Sequence, residues 1–546
     1  MTDQIKYLSY ATEDDGRLQQ KLGYGSLVAI GVGSVVGSGW LFSAMYAAQA
    51  AGPASIISWI IGGLMMLSLA LVNAELGRTH PESGGLSRYP LYSNGRLTAA
   101  LTGWCFWLGV VATPAIDSAG VMQYLNSYIP GLFDGTKLTL AGTATASALI
   151  LVFFMLNSFG IKLISKSNNL ITGLKIGIPI VAICCLIYSG FKGQGGAGGL
   201  SNFSDGGGFA PNGISASLSI IASAGILFAY SGFNFVVNMS GEAKNPRRNI
   251  PAALITTVIF TIILYVALQF TFLVSVPHID VLKGWSGINY DSPYAQLAMI
   301  AGFHWLYWVL LADSVISPSG AAFIGITSNA RNVFALAKNG FMPKGLQKID
   351  PKWGVPRRAL AVNFIIALGM LILLPAWHSI MGLIGVLGSF TLAVASISVA
   401  VFRQSGITLQ EDRIRGMGFI ALFAFVVSAL IMTWVPWHML LVTIPFLLIG
   451  GAWYFITYFM QKQSVHEIQG GLWLVTYFIF IYVMGYLGSF GSKIIPAPLD
   501  SIIVAVVAIF LYYWGVKSGV RYMNVEPASG RFLRESISQR KKKVKV

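Results

Sequence analysis

Residues 31–40 read GVGSVVGSGW, four glycines in ten positions inside a stretch that is otherwise apolar. A glycine in a helix interior costs about 1 kcal/mol relative to alanine. What solvent surrounds the stretch decides what that cost means. The chain has 546 residues, 55% hydrophobic and 10% charged, with mean hydropathy +0.68. Soluble domains carry about 25% charged residues, so this chain cannot cover a water-facing surface. Its surface must face lipid, which makes it an all-α polytopic membrane protein.

Apolar runs of about 20 residues, the length a bilayer demands, divide the chain into fourteen candidate spans. They lie near 24–50, 54–77, 99–127, 140–160, 168–190, 214–241, 251–275, 300–334, 359–376, 380–402, 416–435, 437–460, 470–490 and 499–519. With the N-terminus cytoplasmic, only Lys137, Lys192, Lys283 and Lys493 of the 36 Lys and Arg residues fall in external loops, and only Lys175 falls inside a span away from its ends. That bias is the positive-inside rule and predicts cytoplasmic termini. It also turns the net charge of +16 away from nucleic acid and toward topology. The polar start, residues 1–21, lacks a signal-peptide pattern. Cys105, Cys184 and Cys185 have no metal spacing and suggest no disulfide framework.

Within the first span, Gly33 and Gly37 make a G-x-x-x-G packing pair. That reading explains neither Gly39 nor the polar Ser34 and Ser38. An unwound segment explains both: it frees backbone groups that cannot stay unsatisfied in lipid, and it ends a half-helix whose positive end suits a carboxylate. The sixth span contains ILFAYSGFNFVVNMSGE (226–242), with Ser231 and Gly232 near its middle. Five spans separate the two interruptions, so a five-span repeat must be inverted in the membrane, the pattern of secondary transporters. If AYSGFN is broken, its carbonyls accept from an α-ammonium group while Tyr230, Phe233 and Asn234 reach the side chain. An ordinary kinked helix is the competing reading for each of these residues.

Three polar groups lie deep in apolar sequence. Lys175, in SNNLITGLKIGIPIVAICCLI, is expensive there and so a functional candidate. It reads as a proton carrier or a fixed charge where a sodium-coupled protein would hold an ion, against a snorkelling lysine. Asp117 reads as a proton relay or a counter-charge. Asp313 is similar, and Ser317 follows it beside Pro318, whose ring leaves a carbonyl free. Glu75 and Glu242 suggest ion pairs with Arg78 or Arg248 at span ends. Histidines 278, 304, 378 and 438 carry no assigned role. Trp104, Trp107, Trp305, Trp308, Trp434 and Trp437 read as interfacial anchors.

These stretches resemble the amino acid–polyamine–organocation (APC) permeases over residues 22 to 460. GSVVGSGWLF (33–42) is similar to the family's first-helix glycine motif, and AELGRTHPESGGLSRY (74–89) to its E-L-G-x-x-x-P-x-S-G-G loop. FAYSGFNFVVNMSGEAKNPRRNIPAAL (228–254) resembles the broken sixth helix and the E-x-x-N-P-x-R-x-x-P segment. Residues 330–360 resemble the A-R-D-G-x-x-P loop, with Asn339 where Asp is usual. Trp40 stands where most members carry Ile, and AGPASIISWIIGG and SRYPLYSNGRL resemble the aspartate:proton symporter branch most.

The resemblance implies a five-plus-five inverted-repeat core with substrate at the midplane. It implies carboxylate binding by the backbone around Gly37–Gly39 and ammonium binding by carbonyls around Tyr230–Phe233. It aligns Lys175 with the fifth-helix lysine of proton-coupled members. The implied organisation is a cytoplasmic tail (1–21), a first repeat (22–192), an external Gly-rich loop (193–213) and a second repeat (214–402). Spans 11–12 (403–460), spans 13–14 (461–520) and a basic cytoplasmic tail (521–546) follow. The last two spans exceed a twelve-helix pattern, and Asp117 sits awkwardly beside an anionic substrate side chain. The expected partners are an amino acid, protons and the lipid bilayer of the cell membrane; no cofactor, metal or nucleic acid is expected, and homo-oligomerisation stays open. The leading expectation is proton-coupled uptake of an acidic amino acid, with amino-acid exchange as its rival. A channel lacks a ring of polar pore residues, and a membrane enzyme lacks an H-E-x-x-H or Ser/His/Asp pattern at membrane depth.

Overall fold

The computed structural model describes residues 22–82, 85–158, 162–350, 355–461 and 464–525, with backbone alone at 162–170 and 215. The N-terminal tail 1–21 and the RKKKVKV tail lie outside these residues. Regular structure among them is helical. Span 1 is two half-helices, Tyr24–Val35 and Gly39–Ala51. Span 2 is Ser55–Thr79, span 3 is Gly85–Val111 continued by Thr113–Leu125, span 4 is Leu140–Ser158 and span 5 is Lys162–Lys192. Span 6 is in three pieces, Ile214–Ser223, Ile226–Tyr230 and Asn234–Asn238. Spans 7 to 10 are Pro246–Ser275, His304–Lys338, Arg357–Leu373 and Trp377–Gln404. Spans 11 to 14 are Met417–Trp434, Trp437–Met460, Leu472–Leu487 and Leu499–Val525.

By length and composition, 11 helical stretches can cross a membrane, or 12 when the bent span 6 is included. Two further passes complete the expected fourteen. The stretch Gly39–Thr79 contains the second half of span 1 and all of span 2, divided at the turn Gly52–Ala54. Arg357–Leu373 adds 17 residues, about 25 Å of helix. The half-helices of span 1 are about 18 and 20 Å long, so together they make one crossing.

Spans 3 and 10 pack along each other at the centre, with 89% of their apolar windows buried, against 28% in spans 5 and 12. The central pair is therefore scaffold, and the outer helices present their apolar faces to lipid. Span 3 bends twice. Gly95 takes φ 85°, which a side chain would strain, and the helix restarts at Thr113 because Pro114 supplies no N–H. Spans 13 and 14 close on the first bend. Glu467 is buried and accepts from the Arg96 amide at 2.8 Å and the Tyr522 hydroxyl at 3.1 Å. Asn94 donates to the Gly515 carbonyl at 3.0 Å.

Arginines gather at one end of the bundle, and their pairing differs from the local expectation. Glu75 is bound by Arg403, whose Nε and Nη2 donate at 2.5 and 2.7 Å, and Glu242 pairs with Arg331 at 2.9 Å. Arg78 turns to Asp412, and Arg248 is exposed. A neighbouring helix brings a guanidinium into better geometry than the i, i+3 neighbour can. Trp107, expected at an interface, is 3% exposed and donates to Asn363 at 2.8 Å, because span 3 is interior along its length. Trp305 and Trp308 are exposed as anchors should be.

Candidate functional site: the meeting of two broken helices

The first half of span 1 leaves helical geometry at Val36 (ψ 87°), and the second half starts at Gly39 with no side chain capping it. Each freed end has a charged partner. Lys175 Nζ donates to the Gly33 carbonyl at 2.6 Å, at the C-terminal end of one half-helix. The Ser38 amide and hydroxyl donate to Asp117 Oδ1 at 3.3 and 2.7 Å, at the N-terminal end of the other. Half-helices are partly negative at their C-termini and partly positive at their N-termini, so each charge sits where the local dipole favours it.

Span 6 bends by 55° between Ser223 and Ile226 and opens again at Ser231–Phe233. Gly225 (φ 83°) and Gly232 (φ 110°) adopt the backbone that these breaks require. The glycines of span 1 serve differently, by allowing close approach. A Cβ on Gly39 would lie 2.8 Å from Ala229 Cα, and one on Gly37 would lie 3.1 Å from Ala321 Cβ. The Gly33–Gly37 pair is thus also a packing element, but toward two helices, since Gly33 faces Thr172 of span 5. The breaks are stitched together. Ser34 Oγ donates to the Gly232 carbonyl at 3.0 Å, and the Tyr265 hydroxyl bridges the Val35 and Ala229 carbonyls at 3.1 and 3.0 Å.

Between the breaks and the span 3–span 10 pair lies a cavity of about 90 Å³. It extends along span 10 toward Leu392, the side of Arg403. At its other end stands an aromatic cluster. Trp377 packs on Phe42, Tyr46 and Phe228, with ring centroids 5.4, 5.8 and 5.7 Å away, and its indole donates to Ser38 Oγ at 3.0 Å.

Of the residues singled out in the sequence, Ser34, Gly37, Gly39, Asp117, Ser231, Gly232 and Asn234 line this cavity. Ser38 stands one hydrogen bond behind it. Trp40, Tyr230 and Phe233 do not line it. Trp40 is buried against Tyr294, Tyr230 donates to the Trp59 carbonyl at 3.0 Å, and Phe233 is fully buried. A helix turns about 100° per residue, so with Gly39 turned to span 6, Trp40 must face elsewhere. Lys175 is buried, donates to the Gly33 carbonyl and does not line the cavity, while Ser317 donates to its helix neighbour Asp313 at 2.9 Å. Tyr265 and Trp377 escaped the sequence reading; the signal for Tyr265 was a phenol in the middle of an apolar span, which needs a partner there.

Two helices broken at matching places around a central cavity, in a bundle of apolar spans, define a multi-pass secondary transporter. The amino acid permease family model matches residues 22–484. The chain is 36% identical over 518 residues to the glutamate/serine transporter AimA of Bacillus subtilis, covering 92% of this chain and 94% of that one. It is 32% identical over 520 residues to the aspartate-proton symporter of the same organism, covering 92% and 98%. Its fold is like that of a manganese transporter of Eremococcus coleocola, with TM-score 0.50 and 13% identity over 91% of this chain and 96% of that one. At that identity the likeness concerns fold alone. The chain belongs to the amino acid permease family of the APC superfamily, and it is an amino acid transporter of the membrane.

Proposed function

We propose that the protein takes up an L-amino acid together with protons by alternating access, with aspartate or glutamate as the leading substrate. In this reading the backbone around Gly37–Gly39 receives the α-carboxylate, span 6 carbonyls near Ser231–Phe233 receive the ammonium group, and Asn234 meets the side chain. The repeats are residues 22–192 and 214–402. The arginine-rich end is cytoplasmic, and the aromatic cluster around Trp377 is the closed external gate.

One observation carries the coupling: both ends of the span 1 break are held by buried titratable groups, Lys175 and Asp117. Among the described residues, Asp117 Oδ2 has no hydrogen-bond partner. An acidic substrate entering the cavity brings a second negative charge beside Asp117, and like charges close together disfavour each other. A proton on Asp117 removes that repulsion, so proton and substrate bind together, and their joint release on the other side is symport. The names of the two relatives, a glutamate/serine transporter and an aspartate-proton symporter, support the same reading.

A second reading, a small neutral amino acid such as serine, is favoured by the wall itself: among the described residues no Lys or Arg lines it. The deciding experiment is uptake into proteoliposomes under an inward proton gradient across an amino-acid panel. Gradient-driven accumulation without internal substrate supports symport; uptake only in exchange for internal amino acid refutes it.

A further inference from the structure

We infer that Asp313 is a second proton-holding group of the transport cycle. It takes a proton from the external side and passes it to Lys175 through the Ser317 hydroxyl. The inference rests on the reading that transport is proton-coupled through Lys175.

Asp313 is a carboxyl that the fold buries without giving it a counter-charge. It is fully buried, as is Ser317. Among the described residues the Ser317 hydroxyl is its one hydrogen-bond donor, at 3.0 and 2.9 Å from the two carboxyl oxygens, and no cation pairs with it. Glu75, equally buried, receives two N–H groups from Arg403 and one from the Ile414 amide. An ionised carboxylate in an apolar interior is costly without such partners, and a bound proton removes the charge. Asparagine would fill the same space without that cost, so an acid inside a span points to a group that gains and loses a proton.

Position connects it with Lys175. Asp313 and Gly320 are seven residues apart, which returns them to one face of span 8 within about 20°. Gly320 packs on the lysine: a Cβ there would lie 2.9 Å from Lys175 Cε and 3.1 Å from Nζ. Asp313 therefore stands on the face that meets Lys175, about 10 Å along the helix axis toward His304. Ser317 falls between them, about 4.5 Å from the level of Gly320. Among the described residues, the carboxylates whose charge reaches Lys175 are Asp117 and Asp313, and the charge of Asp313 also reaches the phenol of Tyr124 on span 3.

Span 8 begins at His304, opposite the end that carries Arg331 and Lys338. Asp313 lies about 14 Å in from His304, so with the arginines cytoplasmic it stands between the external surface and Lys175. In the transfer, the Asp313 carboxyl loses a proton, Ser317 accepts it and releases its own, and the Lys175 amine becomes an ammonium. A neutral acid and a neutral amine become a carboxylate and a cation, with no further reactant.

The test uses Asp313→Asn, Asp313→Glu and Ser317→Ala in proteoliposomes with labelled aspartate and serine. Asparagine keeps the size and an acceptor for Ser317, so the site stays filled and bonded. Asp313→Asn is expected to lower gradient-driven uptake about a hundred-fold, the contribution of a positioned proton-transfer group, while counterflow keeps its wild-type rate. Asp313→Glu is expected to restore part of the uptake and to move its pH profile, which a structural role would not do. Ser317→Ala is expected to slow gradient-driven uptake about ten-fold, the loss of one hydrogen bond to an ionisable group. Infrared difference spectra between acid and neutral pH read the site without transport: wild type is expected to show a protonated-carboxyl band that Asp313→Asn lacks. A band unchanged in Asp313→Asn overturns the assignment, even where that variant does not transport. Gradient-driven accumulation by Asp313→Asn with the wild-type pH profile overturns it too, and leaves coupling through Lys175 standing. A wild type that exchanges but never accumulates overturns the coupling reading and this inference with it.

Discussion

Replacing Lys175 by methionine removes the ammonium group and keeps a long apolar stem. The stem matters because Gly320 packs directly on it: a Cβ at Gly320 would lie 2.9 Å from Lys175 Cε. The lost interaction is the 2.6 Å charge-assisted hydrogen bond to the Gly33 carbonyl, and bonds of this kind contribute about 1.5–3 kcal/mol. At 1.36 kcal/mol per decade, that shifts the balance between held and released states of the first half-helix by roughly ten- to a hundred-fold. The assay is labelled aspartate or serine in proteoliposomes, with and without an inward proton gradient, alongside counterflow against internal substrate. The expected result is counterflow without accumulation above equilibrium. Accumulation with the wild-type dependence on the gradient would refute the assignment of Lys175 to coupling.

Gly39→Val should abolish uptake while the protein still inserts, because the added Cβ would lie 2.8 Å from the Ala229 backbone and push spans 1 and 6 apart; a wild-type KM refutes this. Tyr265→Phe removes the bridge between the Val35 and Ala229 carbonyls, leaving buried acceptors unpaired at about 1–3 kcal/mol, and should slow uptake measurably in initial-rate assays. Glu75→Ala leaves Arg403 without its carboxylate, a loss of about 3–5 kcal/mol for a broken buried pair, seen as a lower melting temperature in detergent; an unchanged melting temperature contradicts it. Glu467→Ala should release spans 13–14 from the Gly95 bend, read as faster amide exchange at residues 94–97; wild-type protection there argues against that clamp.

Much of the site was legible because lipid makes backbone exposure costly. GVGSVVGSGW and AYSGFN had to be explained as breaks or as packing; both are breaks, and the glycines of the first also pack closely against neighbouring helices. The in-span Lys175 and Asp117 were conspicuous for the same reason. What sequence could not supply was rotation about a helix axis and pairing across the bundle. Trp40 and Tyr230 lie beside cavity-lining residues but face away from the cavity. The Tyr265 bridge joins residues hundreds of positions apart. Glu75 chose Arg403 on another helix over Arg78 on its own.

The sequence by itself determined the solvent, the approximate spans, the two interruptions and the family, since each follows from local composition, spacing or motif. The tertiary structure decided how each glycine is used: close approach in span 1, backbone conformation in span 6. It also decided which polar groups stay unpaired in the cavity. Those outcomes depend on which helices touch, and contact between residues far apart in the chain is set by packing that no local pattern encodes.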